Sequence, residues 1–514
     1  MNFITLRKGC IMSNIKLLFS GSSSLTPREK KKKRKLWNRY IGVSLVIIQI
    51  IISIMFLVAL FHLNVIPNKY LIILIVVLVL ITAFNLFSQY TKANILGKII
   101  AVLLSIVLLF GFLFVSKTSN ALNDITKPAT VNTTGISVIV LSSDPAQKLS
   151  DAQKYKFGYN SAIDKSSTDI AVTQINEKLG SAIDTTGYAD WDTLVNALYN
   201  HEVKAIILNE TYRSAIEETY IDFGTKTKVI DDSISIENQN TAVAPSDINV
   251  STDAFTIYIA GNDQAGAIAS TGRNDVNIIA TFNPKTKQAL LVTTPRDYYI
   301  PVVDWVGNTG LEKLTHAGNF GVQGSMTALK NLYGVNLDYY VKINFTGTVG
   351  IVNALGGITI DSEVGFKSSF IPYTFVKGQN NLDGEKTLAF CRERYAFANG
   401  DFQRGRDQMA AVKGIIAKAS SPAIITNYSA VLNSVSSLFG TNMPADAITS
   451  LIKDTLDTST PWNIQTYDVS GSTATRRCQL YGFDASVVLP DYSTVNTAVQ
   501  YMNKIKSGET FQIK

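Results

Sequence analysis

Two aspartates stand at the ends of strand-like segments. Asp263 lies in GND after FTIYIAG (255–261), and Asp275 lies in RND before VNIIATFN (276–283). A hairpin-like return through the Gly/Ala/Ser-rich stretch QAGAIASTG would bring them together. Two carboxylates with no neighbouring His suit a hard cation such as Mg²⁺, which takes oxygen ligands and commonly shares its shell with phosphate. On spacing alone, two turn-capping aspartates are the commoner explanation.

Arginines shift that balance. Arg273 precedes Asp275 by two residues, and Arg296 follows the strand-like ALLVTTP (289–295). Arg392 and Arg394 flank Glu393, and Arg404 and Arg406 follow Asp401. Gln408 lies four residues beyond Arg404, hence on the same helical face. A guanidinium matches phosphate oxygens with two parallel N–H donors, so several around one anion make a diphosphate clamp. Arg392 and Arg394 can face the same way only in extended or helix-end geometry. Taken singly, each arginine is better explained as a surface ion pair, for example Arg394 with Asp401.

The spaced set GND…RND…NPKTKQALLVTTPRD, LDGEKTLAFCRER and DFQRGRDQ resembles the LytR–CpsA–Psr (LCP) family of wall-glycopolymer transferases. The resemblance covers roughly 250–480. Three membrane spans and an extra domain before the catalytic one are similar to the layout of its capsule-type streptococcal members. By position, Asp263 and Asp275 resemble the family's Mg²⁺-linked aspartates, with Asp263 either base or metal ligand only. Arg273, Arg296, Arg392, Arg394, Arg404 and Gln408 resemble its pyrophosphate-binding set.

The resemblance implies an α-β-α domain with a hydrophobic tunnel for a polyprenyl chain. It also implies phosphoryl transfer of a glycan from a polyprenyl-diphosphate lipid to peptidoglycan, the polymer being capsular or another wall polysaccharide. Membrane lipid and other capsule-assembly proteins are the further partners implied. The sequence departs from the family pattern at Asn274 (commonly Ser), Thr387 (Ala), Asp407 (Arg) and Met409 (Gln). Asp407 lowers the clamp's positive charge, with Arg406 beside it as compensation. TVGIVNALGGITI (348–360) and MAAVKGIIAKA (409–419) are candidate tunnel walls or ordinary core. Two rival functions stay open: a non-catalytic envelope-assembly regulator that binds polyprenyl diphosphate lipids, and a pyrophosphatase acting on the same lipid.

These residues need an anchor and a scaffold. The chain has 514 residues, with 46% hydrophobic and 17% charged, against about 25% charged in a typical soluble domain. The net charge of +7 is local: residues 28–39 hold eight basic residues and one acidic, and the rest balances. That excludes a broadly basic nucleic-acid-binding surface. Residues 41–63, 70–87 and 99–115 lack charged side chains and are long enough, or nearly so, to span a bilayer. The basic cluster before the first span should be cytoplasmic. Three spans then place residue 116 onward outside, and the family resemblance implies that this is the surface of a Gram-positive cell.

The fold class expected is α/β: a cytoplasmic basic tail (1–40), three transmembrane helices (41–117), a linker with a small accessory α/β domain (118–245), and an LCP-type α-β-α domain with a mixed sheet (246–514). Residues 116–134 and 236–253 are polar and read as linkers. Strand and helix patterns alternate over roughly 135–235, and again from 255 onward, where helices between strands imply helices on both sheet faces. No CxxC, HExxH, GxSxG or GxxxxGK[ST] occurs, so zinc-ribbon, zincin, nucleophile-elbow and P-loop chemistries lack their motifs. Cys391 and Cys478 share the external region, so a disulfide between them is open. A Cys391–His316 nucleophilic pair would leave the arginines unexplained and is set aside.

Overall fold

The computed structural model describes residues 20, 25–126, 132–238, 243–262, 272–304, 307–421, 431, 439–458 and 460–513. Asp263 and Cys10 lie outside them. The chain divides into two compact units, Met1–Ala121 with Thr449–Thr458, and Leu122–Ile448 with Ser459–Lys514.

The first unit is built on α1 (Pro27–Leu63), α2 (Asn68–Ser88) and α3 (Asn94–Ile125), all three long and apolar enough to cross a membrane. Thr26 starts α1 with a capping box to Glu29, followed by Pro27 in the first turn, the chemistry that satisfies free N–H groups there. The basic cluster is therefore helical and continuous with the first span. In an apolar medium helices gain little from hydrophobic burial, so small and polar residues hold them together. Gln49 of α1 donates to Thr82 of α2 at 2.9 Å and accepts from Asn85 at 2.7 Å. Residues 116–125, expected as linker, instead extend α3. SKTSNALNDI contains no Pro or Gly, and the Thr118 hydroxyl bonds back to the Phe114 carbonyl, so nothing in it stops a helix already under way.

In the second unit a five-stranded sheet has the order β3-β2-β4-β1-β5. Its strands are β1 (Asn132–Leu141), β2 (Lys156–Asn160), β3 (Asp184–Tyr188), β4 (Ala205–Asn209) and β5 (Thr227–Asn238). Four helices accompany it: α4 (Lys165–Leu179), α5 (Trp191–Tyr199), α6 (Arg213–Thr219) and α7 (Phe223–Lys226). Side chains of a strand alternate between faces. Ile136, Val138 and Val140 of β1 accordingly join Ala171 and Ile175 of α4 in one core. On the other face Ile139 joins Leu194 and Leu198 of α5. That second core continues through Tyr212 to Tyr481 (ring centroids 4.9 Å apart) and on into the larger sheet domain.

The larger domain begins with β6 (Phe255–Asn262), β7 (Asn274–Asn283) and β8 (Gln288–Thr293). Next come β9 (Tyr299–Val303), β10 (Thr309–Lys313), α8 (Leu314–Ala317), α9 (Gly321–Tyr333), β11 (Tyr339–Ile343) and α10 (Phe345–Ala354). A stretch of short strands follows, β12 (Ile358–Ser362), β13 (Phe366–Lys367), β14 (Thr374–Phe375) and β15 (Gly378–Leu382), and then α11 (Gly384–Arg392) and α12 (Gly400–Ala419). The chain closes with β16 (Phe439–Thr441), α13 (Ala445–Thr458), β17 (Asn463–Asp468), a hairpin of β18 (Gly471–Cys478) and β19 (Phe483–Pro490), and α14 (Tyr492–Ser507).

Six strands form a mixed sheet, β16-β11-β6-β7-β8-β17, parallel at β11/β6 and β17/β8 and antiparallel elsewhere. Period-two alternation decides what each face does. Tyr258 and Ala260 of β6 enter the core shared with Val495 and Met502 of α14. Ile259 and Gly261, on the opposite face, line a cavity beneath α12. The expected mixed sheet with helices on both faces is what forms.

Candidate active site

The cavity on that opposite face has a volume of about 280 Å³. Asp275, Arg296, Arg392, Arg394, Arg404 and Gln408 all line it. Its other walls are largely apolar, with Ile259, Val276, Ile343, Leu388, Val412 and Ile415 among them. Residues far apart in sequence, chosen for their chemistry, thus converge on one space.

Asp275 owes its position to a bulge. Asn262 pairs with Asn274 and Gly261 with Val276, which leaves Asp275 as the extra residue of β7. Bulges turn a side chain out of the regular alternation. Gly261 permits the crossing: a Cβ there would lie 2.6 Å from the Val276 side chain. Asp275 Oδ2 accepts from Arg296 Nη1 at 2.7 Å, and Oδ1 accepts from the Thr315 hydroxyl at 3.3 Å. Asn274 is fully buried and donates to Ser325 (3.0 Å) and Tyr258 (3.3 Å). Its amide reaches two hydroxyls, so this departure from the family pattern is built into the core behind the site.

Arg296 begins the turn after β8, and its carbonyl accepts from Thr315 N at 2.8 Å. Next to it, burial pushes the Asp297 carboxyl up, but Lys313 and Arg296 outweigh that and hold it below the ordinary carboxylate value. Arg296, Asp275, Arg404 and Gln408 also line a small adjoining cleft, which puts the β8 and α12 guanidiniums on neighbouring walls.

Arg392 ends α11, and Glu393 is extended (φ −64°, ψ 131°). That is the helix-end geometry required for Arg392 and Arg394 to share a direction. Glu393 is fully buried. Its carboxylate accepts from Ser369 N (2.6 Å) and Ser369 Oγ (3.1 Å), and from the backbone N–H groups of Arg394 (3.1 Å), Tyr395 (2.9 Å) and Ala396 (3.3 Å). The Arg392 guanidinium lies over Phe345 (4.6 Å) and Phe370 (4.4 Å). Stacking of this kind suits a planar cation and fixes its plane.

On α12, Arg404 pairs with Asp401 at 3.1 Å. Asp401 thus serves Arg404 rather than the expected Arg394, whose Nη2 bonds the Tyr395 hydroxyl at 3.0 Å. One turn on, Gln408 donates to the Cys391 carbonyl at 3.3 Å. Arg406 faces away, pairing with Glu363 (3.0 Å) and Asp468 (3.3 Å), so it adds no charge to the cavity. Asp407 also leaves the clamp intact: it accepts from Gln403 at 3.0 Å and lines a separate cavity with Arg406. Burial raises its carboxyl to about 7.

Arg273 is not among the cavity's lining residues; its guanidinium acts on the buried Tyr481. Of the two candidate tunnel segments, 409–419 supplies Ala411, Val412 and Ile415, while 348–360 supplies only Thr348. Cys391 and Cys478 are both free thiols. His316 bonds Glu312, at 2.6 Å, and is not paired with Cys391. Sequence reasoning missed Glu393 as the anchor between the two arginines, and it missed the Phe345/Phe370 sandwich. A carboxylate between two clamp arginines was the available signal for the first.

A family model described as the LytR_cpsA_psr family matches residues 219–491. The chain is 34% identical over 212 residues to a polyisoprenyl-teichoic acid–peptidoglycan teichoic acid transferase TagU of Enterococcus faecalis, covering 41% of this chain and 68% of that protein. It is 33% identical over 203 residues to the protein of the same description from Bacillus subtilis, covering 39% and 64%. The crystal structure of B. subtilis TagV aligns with 51% of this chain and 99% of that one, at 24% identity and a TM-score of 0.42. The match to the family model over more than half the chain, together with the E. faecalis relative, shows that this protein belongs to the LytR_cpsA_psr family.

Proposed function

We propose that this protein is a membrane-anchored transferase that moves a glycopolymer from a polyprenyl-diphosphate lipid to peptidoglycan. One observation carries the reading: four arginines, Gln408 and Asp275 line a single cavity whose remaining walls are largely apolar. The cationic part suits a diphosphate and the apolar part a prenyl chain. Membership of the family and the transferase names of its relatives support the same chemistry. The polymer is a capsular or other wall glycopolymer, teichoic acid included. The three apolar helices anchor the chain, with the basic cluster inside and the cavity outside the cell.

Phosphoryl transfer demands positioning and charge stabilisation more than a covalent nucleophile. An acceptor-sugar hydroxyl attacks the phosphorus that carries the glycan. Its bond to the bridging oxygen breaks, and polyprenyl monophosphate leaves. Arg296, Arg392, Arg394 and Arg404 orient the diphosphate and neutralise charge that builds on the leaving phosphate. Gln408 adds an uncharged donor. Asp275, Asn262 and Asn344, all of oxygen-bearing type, line the cavity, and among the described residues no imidazole does. That donor set fits a hard cation, and Asp275 would hold Mg²⁺, which when bound supplies positive charge to the phosphate oxygens. Asp263 is the second carboxylate this reading requires, as metal ligand or as acceptor of the hydroxyl proton.

The test is transfer by the full chain in proteoliposomes, with a labelled polyprenyl-diphosphate glycan, peptidoglycan and Mg²⁺. Label covalently attached to peptidoglycan, with release of polyprenyl monophosphate, is expected. Release of that phosphate without acceptor would favour a pyrophosphatase instead, and lipid binding with neither outcome a regulator.

A further inference from the structure

Behind the cavity lies a second cluster that the transfer reaction does not use. Glu312 is the last but one residue of β10, His316 follows four residues later on α8, and Cys478 ends β18. Backbone pairing across the two segments brings them together: Gln479 N donates to the Leu311 carbonyl at 3.0 Å, and Leu311 N donates to the Gln479 side chain at 2.7 Å. All three side chains are fully buried. One ligand-capable atom from each lies within 4.8 Å of the others.

We propose that Glu312, His316 and Cys478 bind a divalent metal ion of the zinc class. Thiolate sulfur, imidazole nitrogen and carboxylate oxygen together match a borderline-soft cation and not Mg²⁺ or Ca²⁺. The cluster also carries unused polar capacity. Glu312 Oε1 accepts from Lys313 N (3.0 Å) and is bonded to His316 Nδ1 (2.6 Å). Glu312 Oε2 and His316 Nε2 have no hydrogen-bond partner. Buried polar atoms are nearly always paired, so two orphans at one place call for an ion or water.

Charge balance favours the ion. A divalent cation with one thiolate, one carboxylate and a neutral imidazole sums to zero, which a dry interior tolerates. A bound cation would take Cys478 as the thiolate and release its proton to solvent. The His316 ring is stacked on Tyr481 (centroids 4.3 Å apart, 25° between planes), so its plane is already fixed. Three protein ligands leave a fourth position for water.

The ion would tie the β18/β19 hairpin to the segment that supports the cavity. Thr315, next to His316, donates its backbone N–H to the Arg296 carbonyl and its hydroxyl to Asp275. The role is positional, and it stands independently of which reaction the cavity performs.

The test uses the tag-free full chain, purified in detergent without chelators. Elemental analysis should find close to one zinc per chain, lost in Cys478→Ala. Replacing the zinc with Co²⁺ should produce a near-ultraviolet thiolate-to-metal charge-transfer band in the unsubstituted protein, which reads out the site even if the variant fails to fold. Chelation should lower the unfolding temperature of the unsubstituted protein and leave folded Cys478→Ala unmoved. A protein that takes up neither Zn²⁺ nor Co²⁺, or a Cys478→Ala variant that retains metal equally well, overturns the proposal.

Discussion

Arg296 Nη1 stands 2.7 Å from Asp275 Oδ2, so the carboxylate proposed to hold Mg²⁺ is already gripped by an arginine proposed to hold phosphate. The two charges keep each other in place, and an incoming diphosphate with its cation divides them between new partners. Asp275→Asn keeps the shape and removes the charge. Transfer should fall by more than about 100-fold, and the residual rate should no longer respond to Mg²⁺. Stability should drop by only about 1–2 kcal/mol, the order of one lost charge-assisted hydrogen bond. Rates measured over a Mg²⁺ series, beside thermal unfolding, check both statements.

Arg392 tests geometry rather than charge. Its guanidinium is sandwiched by Phe345 and Phe370, and a lysine keeps the charge while lacking the plane. Arg392→Lys should reduce kcat/KM at least about 10-fold and Arg392→Ala about 100- to 1000-fold, with little change in unfolding temperature. Equal activity of the lysine variant and the unsubstituted protein would show that a point charge suffices.

Glu393 fixes the backbone of residues 394–396, the turn that follows Arg392, without lining the cavity itself. Glu393→Gln turns a buried acceptor-only group into one with an N–H pair facing N–H donors. We expect a loss of about 1–3 kcal/mol in stability together with a fall in kcat/KM. A variant with unchanged stability would show that the five bonds from Ser369 and from residues 394–396 do not act as an anchor.

Much of this site was legible from residue type and spacing. The i,i+4 relation of Arg404 and Gln408 placed both on one helix face, and both line the cavity. The requirement for a helix end between Arg392 and Arg394 was met at Glu393. Strand β7 was legible from its β-branched run, but the bulge that re-aims Asp275 was not, because one extra residue leaves no mark on an apolar pattern. Arg406 misled for a related reason. Its proximity to Asp407 in sequence suggested shared duty in the clamp, yet two residues along a helix from Arg404 is the wrong face. The α3 extension was hidden by composition, since Ser, Thr and Asn mark linkers only where no helix is already running. The Glu312–His316–Cys478 cluster depends on the bonds between Leu311 of β10 and Gln479, just past β18, which local sequence does not encode.

Asp407 offers a pH test. Its carboxyl is raised by burial to about 7, above its ordinary unfolded value near 3.9. Between those values the folded protein binds the proton more tightly than the unfolded chain. The stability contributed by this group is therefore greatest below about pH 4 and declines as pH rises towards 7. Asp407→Asn should remove that slope and raise stability at pH 8 by roughly 4 kcal/mol, an order-of-magnitude figure. Unfolding measured from pH 4 to 8 checks it, and an unchanged slope would mean that Asp407 ionises freely in the fold.

The central claim is that one doubly phosphorylated head group sits among Asp275, Arg296, Arg392, Arg394, Arg404 and Gln408. A crystal structure of the protein with a polyprenyl-diphosphate lipid measures this directly. The account predicts both phosphates within hydrogen-bond distance of those guanidiniums and the prenyl chain against Ile259, Val412 and Ile415. Phosphates bound elsewhere, with the cavity arginines untouched, would contradict it.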